Sequence, residues 1–202
     1  NNGDLIFVCK DWNKYKWQMT NDNKPKIFIL DVDGVMTTGH FLYSEAGKQM
    51  KIFGPDDNDG LALLKSHIDI RFVTGDKKGF SISNKRIKED MKFNLDLVST
   101  IKRIEWINEK YNPKEVIYMG DGIFDHYVMK EVGYSIAPAN SDRMAKTHAN
   151  YVTERSGGDR AVAEACLHIL QKFFTPYDPD RLPANQLDLG EWTVWPRKIK
   201  NI

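Results

Sequence analysis

Residues 26–37, Lys-Ile-Phe-Ile-Leu-Asp-Val-Asp-Gly-Val-Met-Thr, constrain the fold more than any other stretch. A short, apolar, β-favouring run leads straight into Asp31, and a second carboxylate follows at Asp33. A strand this short and this apolar reads as buried on both faces, the habit of a parallel sheet covered by helices. Gly34 then ends the strand and lets the backbone turn. Acids at the carboxyl end of such a strand stand at the crevice where open α/β sheets bind ligands. A turn would explain one of them. Two acids spaced i and i+2 on extended backbone face the same way, and their charges repel unless a cation, a proton or a polar loop compensates. Paired, repelling acids are more typical of a functional site than of a turn.

The remainder of the chain supplies partners for that strand. Residues 40–43 and 48–53 read as a β-hairpin around the Gly-containing segment 44–47, placed over or beside the two acids. The acidic loop 54–60 lacks the spacing and terminal Glu of a calcium-binding EF-hand, and is expected to be solvated with an Asp capping the next helix. Further strands are predicted at residues 68–74, 95–98, 115–119, 133–137 and 151–153. Between them fall helices at 81–91, after Ser99, and from Asp125, and a last helix, capped by Asp159, carries Val162, Ala165, Cys166, Ile169 and Leu170. Alternating strands and helices at these intervals predict an α/β fold, a Rossmann-like parallel sheet flanked by helices. Residues 1–25 form an N-terminal extension with Trp12, Tyr15 and Trp17. Residues 174–202 form a proline-containing tail with Trp192 and Trp195.

Composition narrows the function. At 202 residues the chain is long enough for one substantial core. A net charge of +1 gives no electrostatic case for nucleic acid or an anionic membrane surface. No window has the length and apolarity of a membrane span. Two cysteines, Cys9 and Cys166, make no disulfide framework, so a reducing cytoplasm is the expected location.

Three strand ends carry polar signatures: Asp31 with Asp33, Thr74 with Gly75, and Asp121 with Asp125. Parallel strands bring their carboxyl ends to one edge, so these groups should converge. Carboxylates converging without a nearby His or Cys suit magnesium better than zinc. With a hydroxyl and free backbone amides they make a cradle for a phosphoryl group. Lys102 or Arg103 is the candidate to balance the remaining phosphate charge, against the plainer alternative that both are solvated surface.

The motifs at 31–37, Val73-Thr74-Gly75, Lys102, and Met119-Gly120-Asp121-Gly122-Ile123-Phe124-Asp125 together resemble those of the haloacid dehalogenase-like phosphatases. The resemblance spans residues 26–173. The hairpin at about 38–53 in place of a large cap domain, Ser135 to Asn140, and Arg155-Ser156-Gly157-Gly158 are similar to the subfamily acting on 3-deoxy-manno-octulosonate 8-phosphate and on nonulosonate (sialic-acid-like) 9-phosphates. The resemblance implies a magnesium-dependent phosphomonoesterase acting on a small sugar phosphate. In it, Asp31 becomes an aspartyl phosphate and Asp33 serves as acid and then base. Thr74, Gly75 and Lys102 would hold phosphate, while Asp31, the Asp33 carbonyl and Asp121 would bind magnesium, with Asp125 behind them. It also implies a homotetramer in which the hairpin covers a neighbour's site. Asp76 departs from the pattern, and an acid there is expected to repel an acidic substrate group. Two other readings compete: a sugar phosphomutase, and a non-catalytic tetramerising module associated with a nucleotidyl-sugar synthetase.

Overall fold

The computed structural model describes residues 24–181. The aromatic clusters at Trp12, Tyr15 and Trp17 and at Trp192 and Trp195 lie outside the described residues. The central strand β1 (Ile27–Asp31) is buried along its whole length, because parallel neighbours flank it and helices cover both faces. It pairs with β4 (Asp69–Thr74) on one side and β6 (Val116–Met119) on the other. Outward from these lie β5 (Asn94–Leu97) on the first edge, and β7 (Tyr134–Ala137) and β8 (Tyr151–Val152) on the second, giving the order β5-β4-β1-β6-β7-β8, every pair parallel. The chain builds outward from β1 through β4 to β5, then returns to β6 on the opposite side. That reversal opens a crevice at the carboxyl ends of β1 and β6, where Asp31 and Asp121 stand.

The period-two alternation of each strand divides the core. Phe28 and Leu30 of β1 join Phe72, Ile117 and Met119 under α1 (Asp57–Leu64) and α6 (Ala161–Phe173). Ile27 and Ile29 join Val73, Val116 and Tyr118 on the opposite face, under α3 (Arg103–Lys110) and α4 (Asp125–Met129). Asp31 has the parity of Ile29, so it emerges on the α3 side. Two further helices complete the layers, α2 (Phe80–Asn84) and α5 (Arg143–His148). The antiparallel hairpin β2 (Thr37–Ser44) and β3 (Gly47–Phe53) forms a separate sheet. No helix among the described residues is long and apolar enough to cross a membrane.

Three local expectations need correction. The helix predicted over 81–91 is α2 followed by a π-helical stretch, Lys85–Asp90, whose one buried residue is Ile87. Asp159 does not cap α6: Arg160 occupies the cap position at φ 70°, with no side-chain capping bond. The capping group arrives instead from α1, as the Ala163 N–H donates to Asp57 Oδ1 at 3.0 Å. Nor is the acidic loop solvated throughout, since Asp57 is 1% exposed. The carboxylate satisfies an amide that the first turn of α6 cannot, and so ties α1 to α6.

Burial pushes the Asp57 carboxyl up to about 6 from 3.8, against the bonds it accepts from α6. Between those values the folded chain keeps a proton that the unfolded chain has released, so this group's contribution to stability falls as pH rises through that window and is level above it. Asp57→Asn keeps the acceptor and loses the titration. Its melting temperature relative to wild type is expected to climb between about pH 4 and 6 and then hold steady, as scanning calorimetry across that range would record.

Candidate active site

Beyond Asp31 the chain leaves the strand in a tight loop. The Val32 carbonyl accepts from the amides of Met36 and Thr37, at 2.9 and 3.1 Å. Gly34, at φ +83°, makes the reversal possible, and a Cβ there would collide with the Asp121 carboxylate. The Thr37 hydroxyl accepts from the amides of Gly34 and Gly39, each at 3.2 Å, fastening the base of the hairpin to this loop. From the other side Gly157 packs so closely on the Gly34 carbonyl that no side chain could be accommodated, and the Gly158 amide donates to the Val35 carbonyl at 3.1 Å. The glycine pair noticed before the last helix is therefore a spacer for the loop that follows Asp31.

Ligand oxygens of Asp31, Asp121 and Asp125 lie within 4.8 Å of one another. They border a cavity of about 330 Å³ that is also lined by Asp33, Gly39, Thr100 and the segment Gly122–Phe124. Carboxylates this close repel, and the repulsion shows in their protonation. Burial, aided by the Asp125 charge and opposed by Arg103, raises Asp31 to about 6. Burial together with the charges of Asp31 and Asp125 raises Asp121 to about 8. Such a cluster takes up a proton or a cation.

Arg103 supplies part of the compensation. Its Nη1 lies 2.6 Å from Asp31 Oδ2, 3.0 Å from Asp125 Oδ1 and 2.7 Å from the Tyr118 hydroxyl. Tyr118 in turn donates to Asp125 Oδ1 at 2.6 Å, and Asp125 Oδ2 accepts from the Gly122 amide at 2.8 Å. Burial alone would lower the guanidinium's pKa, but Asp31, Tyr118 and Asp125 hold it well above its ordinary value. Lys102, in contrast, faces solvent and pairs with Glu105 at 2.8 Å. A 3-10 turn over Thr100–Lys102 precedes α3, and adjacent helical residues diverge by about 100°. Only one of the two cations can face the sheet, and of the two candidates it is Arg103, not the Lys102 that the resemblance implies.

Asp33, although two residues from Asp31, belongs to a different set of contacts. Its Oδ2 accepts from Lys51 Nζ at 2.8 Å and from Thr74 Oγ1 at 3.3 Å. Thr74 is fully buried at the end of β4, and Gly75 packs toward Thr100 on the cavity wall. Asp76 does not project an unbalanced charge. It pairs with Lys48 and with Lys51, the latter at 2.9 Å. Burial would raise its carboxyl, but these lysines and the Gly79 amide bring it down to about 2. The expected repulsion of an acidic substrate group by Asp76 is therefore cancelled within the protein.

Sequence reasoning missed Tyr118, which reads as one more apolar strand residue, and Lys51, which reads as hairpin surface. The alternation of β3 does place Lys51 on the same face as Phe53, which packs against the core.

This sheet order, with an acidic centre at the β1/β6 crevice beside a hairpin, is that of an α/β fold with a ligand site at its switch point, and known phosphatases share it. A family model for haloacid dehalogenase-like hydrolases matches residues 98–165. The 3-deoxy-D-manno-octulosonate 8-phosphate phosphatase of Salmonella typhi is 33% identical over 158 residues, 73% of this chain and 80% of that protein. Its counterpart in Escherichia coli K12 is 32% identical over 151 residues, covering 70% and 77%. Among solved structures, a probable phosphatase from Pseudomonas syringae superposes with TM-score 0.66 at 29% identity, over 74% of this chain and 86% of that one. The octulosonate 8-phosphate phosphatase of Moraxella catarrhalis, crystallised with magnesium, phosphate and the sugar acid, gives 0.63 at 25% identity over 74% and 87%. The chain belongs to the haloacid dehalogenase-like superfamily, in the branch of the octulosonate 8-phosphate phosphatases, and is a sugar-phosphate phosphomonoesterase.

The two neighbouring cations can be told apart by mutation. Lys102→Ala is expected to keep phosphatase activity within about twofold of wild type, as for an exposed pair. Arg103→Ala strands buried carboxylates and should cost about 3–5 kcal/mol of stability as well as activity. Steady-state assays and chemical denaturation of both variants would show it.

Proposed function

We propose that the chain is a magnesium-dependent phosphatase for a 2-keto-3-deoxy sugar acid phosphate of the octulosonate 8-phosphate or nonulosonate 9-phosphate type. The observation that carries the reading is the meeting of Asp31, Asp121 and Asp125 within 4.8 Å at the wall of one cavity. The donors fit the metal: the clustered side chains are carboxylates, the set suited to a hard divalent cation, and their burial, which raises Asp31 and Asp121, is a cost that a bound cation would offset. Asp31, Asp121 and the main-chain carbonyl of Asp33 would hold magnesium, with Asp125 steadying the shell through Arg103, Tyr118 and the Gly122 amide. Bound there, it would neutralise phosphoryl oxygens and polarise phosphorus toward attack.

The chain's own residues do the rest. Asp31 attacks phosphorus, the bond from phosphorus to the sugar oxygen breaks, and an aspartyl phosphate forms. Asp33 donates a proton to the departing alkoxide, then removes one from the water that hydrolyses the acyl phosphate. Thr74, which donates to Asp33, and Arg103, which donates to Asp31, would hold phosphate oxygens. Because Asp76 is neutralised by Lys48 and Lys51, nothing in that acid disfavours a carboxylate-bearing substrate.

Phosphate release across a panel of octulosonate, nonulosonate, heptose and hexose phosphates tests the reading. The keto-deoxy acid phosphates should be hydrolysed fastest, with loss of activity on chelation, restored by magnesium, and at least a thousandfold loss in Asp31→Asn, on the order expected for a covalent nucleophile. Preference for a hexose phosphate would overturn the substrate assignment, and equal rates for wild type and variant would overturn the nucleophile.

The hairpin supports the homotetramer that the resemblance implies. Leu42, Met50 and Ile52, which alternation sets on one face of the hairpin, are 46%, 57% and 47% exposed, apolar surface of the sort that protein contacts cover. Leu42→Lys with Met50→Lys should shift the species seen by sedimentation velocity from tetramer toward smaller forms, whereas an unchanged profile would remove the hairpin from the interface.

A further inference from the structure

A buried cation of the hairpin, Lys51, reaches the carboxylate of Asp33. Lys51 lies in β3, and its side chain is 0% exposed. Three groups from outside the hairpin surround its Nζ: Asp33 Oδ2 at 2.8 Å, Ser83 Oγ at 2.8 Å and Asp76 Oδ2 at 2.9 Å. Ser83 is itself fully buried on α2. An ammonium has three protons, and here each has an acceptor. A lysine buried so completely is uncommon, and it costs several kcal/mol unless paired, as this one is. Lys48, also on β3, fixes the far side of the arrangement by pairing with Asp76 and lying 3.3 Å from the Phe41 ring centroid.

The consequence falls on Asp33. Both groups that reach its Oδ2, Lys51 and Thr74, are donors, whereas Oδ1 is buried with no hydrogen-bond partner. The carboxylate is thus oriented by one oxygen, leaving the other for the proton it must carry. We propose that Lys51 is a positioning residue for the general acid: reaching down from the hairpin, it fixes the Asp33 carboxylate for proton delivery to the leaving alkoxide. The inference rests on the assignment of Asp33 as that acid, and adds that the hairpin belongs to the catalytic apparatus of its own subunit.

A positioning role makes a specific demand on leaving-group dependence. An alkyl phosphate expels a strongly basic alkoxide and needs the proton, while p-nitrophenyl phosphate expels a stable phenolate and does not. The measurement is kcat/KM, which covers steps up to formation of the phosphoenzyme and so leaves out Asp33's later work as a base. Lys51→Met is expected to lose roughly 30- to 100-fold on octulosonate 8-phosphate, within the range for general acid catalysis, and less than about fivefold on p-nitrophenyl phosphate. Lys51→Arg should recover a large part of the difference. The ratio between the two esters does not depend on how much of the enzyme is folded. Should Lys51→Met fail to fold, Lys51→Met with Asp76→Asn, which removes one positive and one negative charge, should show the same ratio. Equal losses on both esters, or none on either, would overturn the proposal. Asp33→Asn, run in parallel, separates the two layers: selectivity in Asp33→Asn but not in Lys51→Met removes only the role of Lys51, whereas its absence from both removes the acid assignment as well.

Discussion

Mutual repulsion among Asp31, Asp121 and Asp125 is the constraint on which the rest of the structure turns. Three carboxylates within 4.8 Å do not assemble unless something opposes their charge. Within the protein that opposition comes from Arg103, which touches two of them, and from Tyr118, which holds one in place. Each of these groups stands at a strand end or on the first turn of a helix, so the sheet order and the balance of charge are two aspects of one arrangement. Burial above all, with neighbouring carboxylates adding to it, raises Asp31 and Asp121, and three acids facing one buried guanidinium leave the cavity receptive to a cation.

A second charge cluster lies beside the first and has the opposite character. Around Asp33 and Asp76 the lysines Lys48 and Lys51 match the acids, and the acceptor groups are largely satisfied. Asp31 therefore lies among acids that outnumber the cation beside them, and Asp33 among acids that lysines match. Two aspartates only two residues apart meet different elements: Asp31 meets Arg103 of α3, whereas Asp33 meets Lys51 of β3 and Thr74 of β4.

Much of this was legible in the sequence, for identifiable reasons. The parallel sheet follows from short apolar runs between helical segments, and the convergence of Asp31, Thr74 and Asp121 follows from strands that share a direction. The hairpin emerges as two strands around a turn at Glu45 and Ala46, within the segment its residues suggest. Other features depend on information that local pattern does not hold. Whether Lys102 or Arg103 enters the site is decided by a 3-10 turn of three residues. Asp76 reads as an unbalanced charge until the hairpin folds over it with two lysines. The cap of α6 comes from Asp57, 106 residues earlier, a distance across which no capping signature can be read.

The glycines at 157 and 158 carry a consequence for how the protein comes into being. The loop that aims Asp31 is clasped on one side by the hairpin and on the other by a segment more than 120 residues downstream. On the ribosome, a nascent chain that already contains every acid of the centre still lacks the brace that sets the first of them. Catalytic competence thus waits until the loop ahead of α6 clears the exit tunnel, and a product truncated before that point would carry the motifs without the geometry.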